Sequence, residues 1–202
     1  MQRGLRHPES EHAGIADPAE EFCARSVLRH ETRDLHVRAE ALIGDRPFRD
    51  LPSYLRVLRA NLSVIEAVHR AATAYLPPSL TAGLATDVAR LRADLAELGA
   101  GADCDRLDID IRTPAAALGA VYVMEGSRLG GRILARRAET GLGLGATSGA
   151  TYLNGSGKAT GRRWRRFVQA LNLRVASAED VSRAVTAARE TFGLIIRQYE
   201  RA

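Results

Sequence analysis

Two stretches of this 202-residue chain hold residue types whose spacing suits chemistry. In LRHETRDLHVRAE, residues 28–40, His36 follows Arg29 by about two helical turns. On a helix the two side chains sit about 10 Å apart along the axis, on nearly the same side. A neutral imidazole there can ligate a metal while the guanidinium pairs with a carboxylate on the rim of the same flat ligand. The plainer alternative is a histidine at the edge of a buried stripe, hydrogen-bonded in an ordinary helix. In VYVMEGSRLGGRIL, residues 121–134, Gly126, Gly130 and Gly131 interrupt a helical pattern. Each glycine costs about 1 kcal/mol relative to alanine in a helix interior. Close helix packing through Gly126 and Gly130 accounts for two of them. The third, with Ser127 beside the first, favours a bend that leaves backbone groups open on one side, where a flat ligand can lie.

Helices are needed to position these stretches, and helical periodicity dominates after residue 20. Leu28, Thr32, Leu35, Ala39 and Leu42 step by fours and threes, and Gly44 ends that helix. Pro52 opens a second helix, whose face Leu55, Leu58, Leu62 and Ile65 runs on until Pro77 and Pro78. Ser79 is expected to cap a third, which ends near Gly99. An acidic loop over 99–112 leads to Thr113 and Pro114, which start the helix that carries the glycine motif to about Thr140. The glycine-rich segment 141–161 is expected to be a long connection. A short helix from RRWRRFVQALNL follows. Ser177 and Asp180 then resemble a capping box ahead of the last helix, striped by Val181, Val185, Ala188, Phe192, Ile195 and Tyr199. The expected architecture is all-α, with a flexible N-terminal arm over residues 1–20 and one compact domain of six principal helices over 21–202.

With 46% hydrophobic residues the chain can bury a full core. The formal net charge is +5 and Lys158 is the only lysine, so arginine supplies nearly all the positive charge, a balance that favours anionic ligands or acidic partners. Cys23 and Cys104 fit no CxxC or CxxCH pattern, which argues against a disulfide framework, a zinc site or a covalently attached cofactor. No apolar run approaches the roughly 18 residues of a bilayer span, and residues 1–20 lack the apolar middle of a signal peptide. A cytoplasmic protein without a membrane partner is expected. The run GRRWRRF, residues 161–167, has arginines and a tryptophan that suit nucleic acid. A partly solvated helix start explains it better, and no nucleic-acid partner is expected. His69 continues the stripe of the second helix as a core histidine, while His7, His12 and His30 read as solvated.

Taken together, LRHETRDLHVRAE and YVMEGSRLGGRIL resemble the proximal and distal helices of the heme oxygenases, in the bacterial, biliverdin-producing branch often associated with phytochromes. GRRWRRF and AARETFGLI, residues 187–195, extend the resemblance over about residues 22–200, in the family's order. It implies an all-α domain that binds heme b as both cofactor and substrate. Under it, His36 matches the proximal ligand to iron, and Gly126, Gly130 and Gly131 match the glycines that let the distal helix bend over the heme face. Arg29 matches a propionate partner, with Thr32 in the same motif. Phe192 and Tyr199 match aromatic positions that wall the pocket, Tyr122 falls beside them, and Arg162 with Arg166 is the favoured pair for the second propionate. Ser127 stands where animal members carry an aspartate, so proton delivery to bound oxygen must be anchored differently.

The implied reaction is oxidative cleavage of heme by O2, with electrons from an external donor, giving biliverdin, carbon monoxide and ferrous iron. His36, Gly126, Ser127 and Gly130 form the implied catalytic centre. A neutral histidine ligand is compatible with oxygen binding, where a thiolate would push towards O–O cleavage. Arg128, Arg132, Arg136 and Arg137 offer a docking patch for an acidic electron donor such as a ferredoxin, and a bacteriophytochrome is the implied recipient of biliverdin. Two other readings keep the fold without turnover: a heme-binding carrier or sensor that retains His36, and a helical interaction module that has lost heme.

Overall fold

The computed structural model describes residues 23–155, 157 and 159–202, so the expected N-terminal arm lies outside the described residues. Among the described residues there are eight α-helices: α1 Ala24–Glu31, α2 Arg33–Ile43, α3 Leu51–Ala72, α4 Pro78–Glu97, α5 Pro114–Leu142, α6 Thr151–Asn154, α7 Ala159–Arg174 and α8 Ala178–Arg201. None of them is long and apolar enough to cross a membrane. The last helix is the hub, with α1, α2, α3 and α5 all packed on it.

Local chemistry explains most of the boundaries. Asp50 accepts from Ser53 N at 2.8 Å, Thr113 from Ala116 N at 3.1 Å and Ser177 from Asp180 N at 3.1 Å, each satisfying an amide that the first turn leaves unpaired. Ser79, expected as a cap, lies within the first turn of α4 and caps nothing. Pro77 takes the capping position, and Pro78, with φ already set, starts the helix. The expected first helix is divided at Thr32, whose φ of −114° and ψ of 5° leave the helical region. Its buried hydroxyl donates to Leu28 O at 2.7 Å, a local bond that competes with the helical ladder. The ladder resumes at once, since His36 N donates to Thr32 O at 2.9 Å.

The glycine-rich segment is more ordered than a long connection. Gly143, at φ 68°, ends α5, and a tight turn closed by Gly145 and Ser148 leads into α6. The fully buried carboxylate of Asp94 accepts from Thr151 N at 2.9 Å and Tyr152 N at 2.8 Å, while Glu97 accepts from Gly149 N at 3.0 Å. A negative charge at a helix N-terminus is favourable both as an acceptor and against the helix dipole.

Leu58 and Leu62 of α3, Leu84, Leu91 and Leu95 of α4, Leu118 of α5 and Leu171 of α7 are fully buried. On the faces of α5 and α8 that flank Gly119 and Ala184 the buried side chains are small: Ala115, Ala116, Ala187 and Ala188. At Gly119 the two backbones meet, because a Cβ there would lie 2.0 Å from Ala184 O. Gly119→Ala should therefore destabilise the fold by about 1–3 kcal/mol through overpacking, outweighing the propensity gain of about 1 kcal/mol. A lower urea midpoint with an unchanged slope is the expected measurement; an unchanged or raised midpoint would show that the crossing can open freely.

Candidate functional site

His36 projects from α2 with its side chain 53% exposed, and its ring stands edge-on to Phe192 of α8 at a centroid distance of 5.9 Å. One turn on, Glu40 places Oε2 3.5 Å from His36 Nδ1. A carboxylate at Nδ1 favours the tautomer protonated there and leaves the Nε2 lone pair free for a metal. The neighbouring Val37 is 58% exposed.

On α5 the glycines divide by direction. Gly126 and Gly130 are one turn apart on one side. Among the described residues, a Cβ at Gly130 would meet nothing within 4 Å, and one at Gly126 would touch only the Trp164 ring at 3.8 Å. Helix packing therefore requires neither. Gly131 is different, since it is buried and a Cβ there would lie 2.8 Å from Leu153 O of α6. One residue on, Gly131 is turned about 100° from Gly130 and into α6. Ser127 is exposed, and its hydroxyl donates to Met124 O at 2.9 Å on its own helix. Beside Gly130, Leu129 and Ile133 leave apolar surface that folding does not cover.

A second group gathers where α1, α5 and α7 meet. The half-buried Tyr122 packs its ring 5.7 Å from that of Trp164. Burial raises the Tyr122 phenol above its ordinary range, and the charges of Arg25 and Arg29 nearby pull the other way. Arg29 thus reaches the same corner as Tyr122. Trp164, legible in the sequence only as part of a basic run, joins Tyr122 to Gly126. Thr32 is buried, and its hydroxyl donates to Leu28 O at the break between α1 and α2.

Tyr199 lies two turns beyond Phe192 on α8 and donates to Asn61 Oδ1 of α3 at 3.1 Å, the oxygen that also accepts from Tyr152 at 3.4 Å. Asn61 Nδ2 is engaged with Val57 O, which fixes Oδ1 as the acceptor for both phenols. Burial pushes the Tyr199 phenol up to about 12, so it remains a donor at neutral pH. On α7, Arg162 and Arg166 are exposed, whereas Arg163 between them turns inward to Glu125, Nη2 to Oε1 at 2.5 Å. The expected cationic patch is also smaller than its sequence: Arg128 is buried against Asp87 and Glu125, and Arg137 pairs with Asp45 at 2.9 Å. Arg132 and Arg136 stay exposed.

A family model described as heme oxygenase matches residues 24–201. Heme oxygenase PigA of Pseudomonas aeruginosa is 31% identical over 169 residues, covering 80% of this chain and 83% of that protein. In fold the chain matches the NO- and CO-bound heme oxygenase from Neisseria meningitidis, with a TM-score of 0.70 at 23% identity over 89% of this chain and 93% of that one. The histidine helix and the glycine helix on a shared hub are thus those of a known family: the chain belongs to the heme oxygenases, whose reaction degrades heme to biliverdin.

Proposed function

We propose that this heme oxygenase holds heme between His36 and the Gly126–Gly130 backbone, and that it cleaves the ring with O2 and electrons from an external donor. The observation that carries the site is Gly130, a helical glycine with open space where packing would have put a side chain. The other residues fit an iron porphyrin. His36 keeps Nε2 free while Glu40 faces Nδ1, and Val37, Leu129 and Ile133 supply apolar surface for the ring to cover. Arg29, with Arg25 beside it, and the exposed Arg162 and Arg166 offer cationic partners for two propionates.

Heme, when bound, supplies the iron that activates oxygen and the meso carbon that is oxidised, yielding biliverdin, carbon monoxide and ferrous iron. The chain's own contribution is position and electrostatics. His36 would hold the iron through Nε2. The glycine backbone would leave room for a small diatomic molecule. Phe192 restrains the imidazole ring from its edge. The recipient of biliverdin is assigned to a bacteriophytochrome, and the cytoplasm as its setting, on sequence resemblance and composition alone.

Hemin addition, followed by ascorbate under air, tests this reading. A Soret band that decays as a bilin band rises is expected for the wild type, and a Soret band that persists would mark a carrier. His36→Ala should form no bilin and should change the axial-ligand spectrum; wild-type turnover without added imidazole would remove the assignment.

Gly130→Ala separates site from scaffold. Its stability should match the wild type or exceed it by up to about 1 kcal/mol. Its bilin yield in a single turnover should fall roughly tenfold or more, because displacing reacting groups by about 1 Å is that costly. A normal yield would assign the open side of Gly130 to something other than heme.

Arg132 and Arg136 on α5, and Arg165 on the adjoining α7, are exposed and suit an acidic electron donor such as a ferredoxin. Turnover supported by such a donor should fall with added salt, while turnover supported by ascorbate stays nearly flat. Equal salt dependence for both reductants would count against docking on this surface.

A further inference from the structure

On the side of α5 away from Gly130 lies a buried ion cluster to which the heme reading gives no role. The side chains of Asp87 on α4 and Glu125 on α5 are each 3% exposed, and that of Arg128 on α5 is 9% exposed. Arg128 Nε donates to Asp87 Oδ2 at 2.5 Å, and its Nη1 lies 2.5 Å from Glu125 Oε1. Neither Nη1 nor Nη2 makes a well-directed hydrogen bond, so the contact is chiefly one of charge. Glu125 Oε1 also accepts from Arg163 Nη2 of α7. The Arg163 guanidinium rests on α4 at Gly83, where a Cβ would fall 1.0 Å from Nη2. The cluster therefore joins α4, α5 and α7.

Three buried charges and a half-buried fourth are a poor route to stability, since desolvation offsets most of their attraction and apolar groups of the same size often do as well or better. What they add is direction. Glu125 immediately precedes Gly126, and Arg128 lies midway between Gly126 and Gly130, about 160° around the helix from Gly130. A rotation or slide of α5 that moved the glycine backbone would break short ionic contacts behind it. A glycine-rich segment is the part of a helix that most needs such restraint, because glycine adds backbone freedom. Resting on the heme-site reading above, we propose that Asp87, Glu125, Arg128 and Arg163 are positioning residues that hold the Gly126–Gly130 backbone at one rotation and depth against the heme.

The test compares the wild type with Asp87→Leu/Arg128→Met, an apolar pair of similar bulk, and with Arg163→Met, which removes the most exposed member of the cluster. Hydrogen exchange over residues 124–133 in protein without heme reads the restraint independently of turnover. The infrared C–O band of carbon monoxide added to the reduced, heme-loaded protein reads the distal environment. Amides of residues 126–131 should exchange at least tenfold faster in the double variant and several-fold faster in Arg163→Met, with melting temperatures near wild type. The C–O band, single and sharp in the wild type, should broaden or split. Unchanged exchange or an unchanged C–O band in both variants would overturn the proposal, as would equal acceleration across all helices. If the double variant does not fold, Arg163→Met decides alone. Failure of the wild type to take up hemin would sink the heme-site reading instead, leaving the exchange comparison to decide the restraint.

Discussion

The backbone of α5 touches that of α8 at Gly119, and the placement of every other residue on the longest helix follows from that contact. A methyl group cannot fit there, so the helices approach as closely as peptide groups allow, flanked by alanines on both. A dozen residues further along, Gly131 makes a second such contact with Leu153 O. That contact is dependable because α6 is itself held by the buried carboxylate of Asp94 at its N-terminus. Pinned on both sides, the segment between has one face committed to neighbours and one, at Gly126 and Gly130, that is not. The same residue type thus serves opposite ends on one helix: close approach at positions 119 and 131, and clearance at 126 and 130.

The sequence made the helical class and the helix starts around Pro52, Thr113 and Ser177 legible, because each depends on residues within a few positions of one another. It did not reveal which glycines pack and which stay clear, since that depends on a neighbour about 20 residues away at Leu153 and another 65 residues away at Ala184. The order of the glycine-rich segment was hidden for the same reason: its acceptors, Asp94 and Glu97, lie on a helix more than 50 positions upstream. Thr32 shows a subtler limit. Its spacing fits the buried stripe, and it is indeed buried, but its hydroxyl divides the helix that the stripe describes as continuous.

Counting arginines overstated the surface and understated the interior. Arg128 is buried and Arg163 half-buried: the planar fork of Arg128 faces two carboxylates at once, and its weaker hydration makes burial less costly than for lysine. Arg132, Arg136, Arg162, Arg165 and Arg166, close by in the sequence, remain in solvent. Net charge cannot separate these populations, and neither can helical periodicity alone, because Arg162, Arg163 and Arg166 share one short basic run. The deciding residue is Gly83 on another helix, whose missing side chain makes room for one guanidinium only.

A protein that destroys its prosthetic group in each cycle cannot use that group as part of its core. Anything that binds only the native state also stabilises it, and a site built on that support would loosen whenever biliverdin left. Both walls of the proposed site are instead supported from behind by protein. The histidine wall is tied by Arg38 to Glu200 at 2.5 Å, by Arg189 to Asp34 at 3.4 Å and by the Phe192 ring. The glycine wall is tied by Gly119, Gly131 and the ion cluster. These supports lie on α4, α6, α7 and α8, so neither wall depends on the other or on a ligand between them.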